Sequence, residues 1–375
     1  MNFFLAKLIG IIIIGGILYI LKQKSLTIAA YFGNTEAVVR LLQKCTNVNQ
    51  RDLQRATALM YAAQEGHGQI VQILLQAGAD VSLRSIYGST ALSLAIDRGR
   101  VGITKLLLDA GAPTEELLRK RKVPPMISAI IQNNPEQVFA ILEQGVSPDK
   151  LYKGKATALM YATALERLDI VKILLNKGAK TNQIQKDGTY ALFLAAWRGN
   201  LPIFELLFAY EYPTPQNMPN IFEVALHSGH TNLVDFLLNQ GRDVNHIDEH
   251  GGTALLYAIQ DNNPEMVVML LEKGANPNLA STVKENATPL MFAVQNNNLT
   301  ILKNLLEKGA NPNMADKDGR TALMGACFYG TTKAVEILLA AGADIHAKDN
   351  FGNTALSLSR TQEIAELLKQ AGAKE

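Results

Sequence analysis

The segment TALMYAAQEGHGQIVQILLQAGADVS, Thr57–Ser82, is almost repeated as TALMYATALERLDIVKILLNKGAKTN, Thr157–Asn182. The two segments begin one hundred residues apart, close to three times 33, so further copies are expected around them. The position of Thr57 recurs about every 33 residues, at Thr57, Thr90, Pro124, Thr157, Tyr190, Asn220, Thr253, Thr288, Thr321 and Thr354. A period of this length predicts stacked repeats rather than one globular core.

Each repeat has the same internal pattern. Leu59 and Ala62 are three residues apart, a spacing that places both on one face of a helix. The small alanine allows a neighbouring helix to approach closely. Gly66 then ends this first helix in a left-handed conformation, and Gly78 ends a second, amphipathic helix. The pattern predicts two short helices per repeat, followed by a polar finger loop that leads to the next marker residue.

These phrases resemble the ankyrin repeat pattern T-P-L-H-L-A-A, G-H, L-L and G-A-D-V-N. The resemblance covers Ser25 to about Ala373 and gives about eleven helix-turn-helix units of 33 residues, with the terminal units as caps. It implies an all-α fold, an ankyrin-like α-solenoid whose consecutive units stack. One departure is that methionine replaces the family's histidine in four units, and we expect these methionines to fill the core. They are Met60, Met160, Met291 and Met324.

The N-terminal segment, 1–24, differs from the rest of the chain. Its unbroken apolar run, Leu8–Leu21, would span about 21 Å as a helix, but residues 3–21 reach about 28 Å if Lys7 extends to the headgroups. We predict an uncleaved transmembrane helix here; a cleaved signal peptide and a buried helix are the alternatives. The prediction is a single-pass protein of the inner (plasma) membrane, with the repeats on the extracytoplasmic side.

The repeat array is predicted to occupy 25–375. In the stretch FAYEYPTPQNMPN, Phe208–Asn220, three prolines appear and the connection between units is shortened. The array is therefore expected to divide into half-stacks at 25–213 and 214–375, with a local irregularity as the alternative.

Composition and motifs argue against several other classes of protein. The net charge of +2 is too small to favour nucleic acid as a partner, and two cysteines provide no disulfide framework. The phrase HIDEH, His246–His250, matches a zinc peptidase motif that needs a helix, yet it falls in a finger loop. A metal-dependent hydrolase is therefore only a remote alternative. The expectation is no enzyme activity, no cofactor and no bound metal.

The resemblance implies that partners bind along the side formed by the fingers and the first helices. Aromatic and arginine side chains are the usual energetic anchors of protein interfaces. The predicted contacts are Trp197, Arg198, Phe328 and Tyr329 on helices, and Ile86, Tyr87, Tyr152, His250 and Phe351 on fingers.

The sequence favours a non-enzymatic, monomeric protein-binding module held at a membrane by residues 3–21. Its layout is typical of bacterial ankyrin repeat proteins, some of which act as immunity or accessory proteins for a neighbouring enzyme. An assembly scaffold on the cytoplasmic side of the membrane is the alternative.

Overall fold

The computed structural model describes residues 25–44, 46–114, 123–185, 188–210, 218–282 and 286–374. These residues form 21 α-helices and contain no β-strand, apart from an isolated bridge between Ala315 and Thr321. The all-α prediction is therefore confirmed for the described residues. The chain divides into two compact units, Met1–Tyr212 and Pro213–Glu375, which are treated separately below.

The first unit contains six helix pairs. Their helices are α1 Leu26–Tyr31, α2 Thr35–Gln43, α3 Ala58–Glu65, α4 Gly68–Gln76, α5 Ala91–Asp97, α6 Val101–Asp109, α7 Pro125–Ile131, α8 Pro135–Glu143, α9 Ala158–Ala164, α10 Leu168–Asn176, α11 Ala191–Arg198 and α12 Leu201–Tyr210.

The second unit contains four helix pairs and one further helix. These are α13 Met218–His227, α14 Thr231–Asn239, α15 Ala254–Gln260, α16 Pro264–Glu272, α17 Pro289–Gln295, α18 Leu299–Glu307, α19 Ala322–Tyr329, α20 Thr332–Ala340 and α21 Gln362–Gln370. The last repeat differs from the predicted helix pair, because turns occupy 355–358 where its first helix was expected.

The marker threonines cap the first helices. Thr57 Oγ1 accepts a hydrogen bond of 3.3 Å from the amide of Met60, and Thr157 Oγ1 accepts one of 3.2 Å from Met160. Each bond satisfies an amide that has no partner inside the helix. Gly66 ends α3 with a φ of 96°, in the left-handed region that glycine adopts readily.

The core consists of small and medium apolar side chains from both helices of each pair. The repeated alanine is buried in every pair; Ala62 and Ala162, for example, are fully buried. Met60, Met160 and Met324 are each only 1% exposed, which confirms their predicted place in the core. Met291 differs, because its side chain is half-buried.

Asparagines join successive repeats of the second unit. Asn245 Oδ1 accepts a 2.7 Å hydrogen bond from the amide of Asn276, and its Nδ2 donates to Gly274 O. Asn278 and Asn313 make the equivalent pair of bonds to the repeats that follow them. These bonds satisfy backbone groups between helix pairs and fix the spacing of the stack.

In the first unit the packing departs from the sequence order around the third repeat. Helix α6 packs against α9, so the third repeat contacts the fifth. At this contact a Cβ on Gly99 would lie 1.8 Å from Lys153 O, and one on Gly154 would lie 2.4 Å from Arg98 O. Gln185 Nε2 donates to both Gly99 O and Gly154 O, at 2.9 and 3.2 Å. The expected unbroken series is thus interrupted where two glycines let the backbones touch.

None of the helices in the described residues is both long and apolar enough to cross a bilayer. The predicted anchor at residues 3–21 lies outside the described residues.

Candidate functional site

Four finger loops of the described residues contain a turn that is organised by an aspartate at its start, at Asp52, Asp248, Asp316 and Asp349. Asp316 Oδ1 accepts hydrogen bonds of 2.9 Å from the amides of Asp318 and Arg320. Asp349 Oδ1 accepts the equivalent bonds from Phe351 and Asn353. Such aspartate turns satisfy the backbone locally. The side chain at the turn's third position, such as Phe351, is then left at the surface.

Three of the predicted contact residues lie together in the second unit. Phe328 and Tyr329, at the end of α19, and Phe351, on the next finger, line one cavity of about 740 Å³. Their exposed fractions are 43%, 52% and 69%. The rings of Phe328 and Tyr329 meet edge to face, with centroids 5.5 Å apart. Met291 and Met324 also line this cavity, which we call the aromatic cavity.

Two guanidinium groups lie over the rings of the aromatic cavity. Arg360 Cζ is 4.2 Å from the centroid of Phe328, and Arg320 Cζ is 5.9 Å from that of Phe351. Arg320 Nη1 is also 3.1 Å from Asp318 Oδ2. Cation–π contact of this kind holds a guanidinium against an aromatic face while leaving its N–H groups available to a ligand.

The carboxylate of Asp349, which also lines the cavity, is hydrogen-bonded within its own finger. Its Oδ2 accepts a 2.9 Å hydrogen bond from Asn353 Nδ2, in addition to the two backbone amides. The side-chain bond from Asn353 is the largest cause of a pKa below the ordinary value for this carboxyl, with the backbone bonds and Arg320 adding to it. Asp349 therefore stays ionised and shapes the finger.

His250 lies outside the aromatic cavity. It is exposed on the finger 248–252, with Nε2 3.7 Å from Glu249 Oε1. The HIDEH phrase forms a turn and not the helix that the zinc motif requires. Within the described ranges, no group of three or more His, Cys, Asp or Glu side chains could hold a metal ion.

Cys327 is the one cysteine that lies in the described part of the chain. Its side chain is fully buried, and burial raises the pKa of the thiol to about 12. A thiol that is protonated and inaccessible is a poor nucleophile.

The finger candidates of the first unit lie on two different fingers, with Ile86 and Tyr87 on one and Tyr152 on the other. Ile86 and Tyr87 are 55% and 67% exposed at the tip of their finger. Tyr152 is half-buried, and burial raises its pKa to about 12.

Trp197 and Arg198 are engaged in contacts within the first unit. The half-buried Trp197 ring lies 3.4 Å from the position that a Cβ on Gly102 of α6 would occupy. Arg198 Nη2 is 3.0 Å from Glu166 Oε1 and 3.5 Å from Asp109 Oδ2. A partner contact at this pair stays a prediction, and the observed packing gives both side chains a role in folding.

Sequence reasoning missed Gly325, Arg320 and Asp316, which also line the aromatic cavity. Gly325 stands four residues after its marker, where other repeats carry a larger side chain. A position-by-position comparison of the first helices would have found it.

Comparison with known proteins agrees with this architecture. The family model Ankyrin repeats (3 copies) matches residues 26–116, 126–218, 213–281 and 290–374. The chain is 29% identical to ankyrin repeat and KH domain-containing protein mask-1 of Caenorhabditis elegans over 66% of its length. It is 28% identical to B-cell lymphoma 3 protein homolog of Mus musculus over 65% of its length. The matched segments cover only 8% and 50% of those relatives. The chain belongs to the ankyrin repeat family, whose repeats are protein–protein interaction modules.

Proposed function

We propose that this protein is a non-enzymatic binding module that holds a partner protein in the aromatic cavity of its second unit. The observation that carries the proposal is the exposure of Phe328, Tyr329 and Phe351 around one concavity. Aromatic side chains favour burial, and exposed clusters of them mark interaction sites.

Several features support binding in preference to catalysis. The Cys327 thiol is buried, and the carboxylate of Asp349 accepts three hydrogen bonds from its own finger. The aromatic cavity combines apolar walls with a few polar groups at its edge, as interface pockets do.

The membrane anchor forms a second part of the proposal. The apolar character of residues 3–21 supports a single-pass anchor, with the repeats on the extracytoplasmic side of the plasma membrane. Tethering would concentrate the module near membrane partners. An immunity or accessory role beside an enzyme fits this arrangement. A reporter fused after Glu375 tests the orientation, and activity confined to the cytoplasm would favour the scaffold alternative.

The binding site is tested with affinity-tagged full-length chain purified from membranes of its own host. Proteins that co-purify are identified for the native chain and for a Phe328→Ala, Tyr329→Ala, Phe351→Ala variant. We expect the variant to lose the partner while keeping its helical circular dichroism. Phe139→Ala, which removes an exposed ring from α8 of the first unit, is the matched control and should retain the partner. Equal recovery with all three proteins would refute the assignment.

A further inference from the structure

Two repeats share a bond between the first helix and the preceding finger. Tyr61 donates from its hydroxyl to Asp52 Oδ2 at 2.6 Å, and Tyr257 donates to Asp248 Oδ2 at 2.7 Å. In both repeats the tyrosine stands four residues after the marker threonine and the aspartate five residues before it. The chain thus shows twice how a tyrosine fits between a finger and a first helix.

The repeat that begins at Thr321 has the aspartate without the tyrosine. Asp316 stands five residues before Thr321, and its Oδ1 accepts the same two backbone bonds as Asp248 Oδ1. Gly325 occupies the tyrosine position. Among the residues that the structure describes, no side chain donates a hydrogen bond to Asp316 Oδ2. One carboxylate oxygen at the aromatic cavity therefore keeps its capacity to accept.

Backbone conformation does not require glycine at position 325. Gly325 lies inside α19 and outside the left-handed region, and glycine inside a helix is destabilising relative to alanine. A Cβ there would meet only Val294 Cγ1, at an ordinary contact distance of 3.7 Å. The main consequence of Gly325 is therefore the space that it leaves, and Gly325 lines the aromatic cavity.

We propose that the aromatic cavity receives a tyrosine side chain of the partner protein, whose hydroxyl donates to Asp316 Oδ2. The inserted ring would take the place that Tyr257 and Tyr61 fill in their own repeats. This inference rests on the proposed function and specifies the residue that the partner contributes.

The surroundings of the cavity favour a neutral aromatic donor over a cationic one. Phe328, Tyr329 and Phe351 provide ring contacts for a phenol. Arg320 and Arg360 already occupy the cation positions over the rings of Phe351 and Phe328, so an incoming lysine or arginine would have to displace them. A tyrosine ring can pack against the apolar walls, and its hydroxyl can donate to Asp316 Oδ2 without adding a positive charge.

The first test uses small probes on the full-length protein in mild detergent, with labelled methionine methyl groups followed by NMR. The probes are N-acetyl-tyrosinamide, N-acetyl-phenylalaninamide and Nα-acetyl-lysinamide. We expect the tyrosine probe to shift the Met291 and Met324 signals and to bind about five- to tenfold more tightly than the phenylalanine probe. Equal binding of these two probes, preference for the lysine probe, or no shift at either methionine would overturn the proposal.

The second test fills the cavity with a side chain of the protein itself. Gly325→Tyr should place its own hydroxyl near Asp316, and we expect it to weaken the tyrosine probe at least about tenfold. Leu94→Tyr, which adds a tyrosine four residues after the marker Thr90 in the first unit, is the matched control and should bind the probe as the native protein does. Gly325→Phe should also block the cavity but unfold at a lower temperature than Gly325→Tyr, because it lacks the hydroxyl. Unchanged probe binding in Gly325→Tyr would contradict the proposal.

The two proposals fail in different ways. If the triple aromatic variant loses the co-purifying partner while Gly325→Tyr retains it, the cavity is an interface but does not take a tyrosine. If the triple variant retains the partner, the interface itself lies elsewhere.

Discussion

Tyr257 donates a 2.7 Å hydrogen bond to Asp248 Oδ2 and thereby ties helix α15 to the finger before it. The ring of Tyr257 lies directly over Gly252. A Cβ added to Gly252 would be only 2.6 Å from Tyr257 Cζ. This finger is thus held by its own backbone turn and also by a side chain from the helix that follows. This relationship gives the first prediction.

Replacing Tyr257 by phenylalanine should destabilise the second unit by about 1 kcal/mol, a value reduced to allow for the partial exposure of Asp248. Chemical denaturation followed by circular dichroism measures the change. Tyr87→Phe, at an exposed finger tip, should leave the free energy of unfolding unchanged. An equal loss in the two variants would mean that the hydroxyl bond contributes nothing.

The same pair should respond to acid. Burial opposes ionisation of Asp248, but hydrogen bonds from Tyr257, Gly252 and His250 outweigh it and lower the carboxyl pKa. A lowered folded-state pKa contributes stability that is present above the unfolded value of about 3.9 and is lost as pH falls through the folded value. The stability difference between native protein and Tyr257→Phe should therefore be constant near neutrality and shrink below about pH 4. A difference that grows in acid would contradict this assignment.

Ala162→Leu should destabilise the first unit by about 1–3 kcal/mol, because Ala162 is fully buried between helices and the larger side chain would overpack the contact. The only tryptophan, Trp197, lies in this unit, so its fluorescence reports the unfolding. The same substitution at the exposed Ala140, on α8 of the same unit, should have little effect on the free energy of unfolding. A neutral Ala162→Leu would show that the helices can separate freely.

Gly99→Ala should be much more damaging than Gly178→Ala. Both glycines have left-handed φ angles, 66° and 81°, so alanine strains the backbone by about 1 kcal/mol at either site. Only at Gly99 would the new Cβ also collide with Lys153 O, whereas nothing lies within 4 Å at Gly178. Fluorescence-monitored denaturation should show a larger loss for Gly99→Ala by at least about 1 kcal/mol. Equal losses would rule out the close contact between the third and fifth repeats.

Trp197→Ala should lower the stability of the first unit by about 1–3 kcal/mol, because the half-buried ring packs against α6. Circular dichroism is the measurement, since the variant has no tryptophan. Tyr87→Ala, which removes an exposed ring, should melt close to the native protein. If Trp197→Ala instead loses the partner while melting normally, the predicted partner contact is right and the packing is unimportant.

Local features of the fold were predictable because they depend on residues that lie within one repeat. The threonine of Thr57 or Thr157 caps a helix through its nearest neighbours in sequence, and Gly66 ends that helix through its own backbone freedom. The buried face follows from i, i+3 spacing, which placed Leu59 and Ala62 correctly in the core. Met60 and Met160 were expected there because methionine commonly fills cores, and both are buried.

Only part of the candidate site could be predicted from the sequence. Phe328, Tyr329 and Phe351 were predicted one by one from their positions in the repeat, but their meeting around one cavity depends on how two repeats pack. Gly325 was missed because it has no side chain that could mark a binding site. The space beside it becomes evident only when the neighbouring residues are placed. Packing of Trp197 within the array was an open alternative, but its contacts could not be named from the sequence, since they come from α6, far away in the chain.

The sequence alone determined the repeat period, the helix caps, the buried stripe and the family, because these depend on residues within one 33-residue unit. Only the tertiary structure decided that the third repeat packs on the fifth and that Gly325 opens space beside Asp316. Those relationships join side chains from different repeats, and a nearly identical local pattern in every repeat carries no information about them.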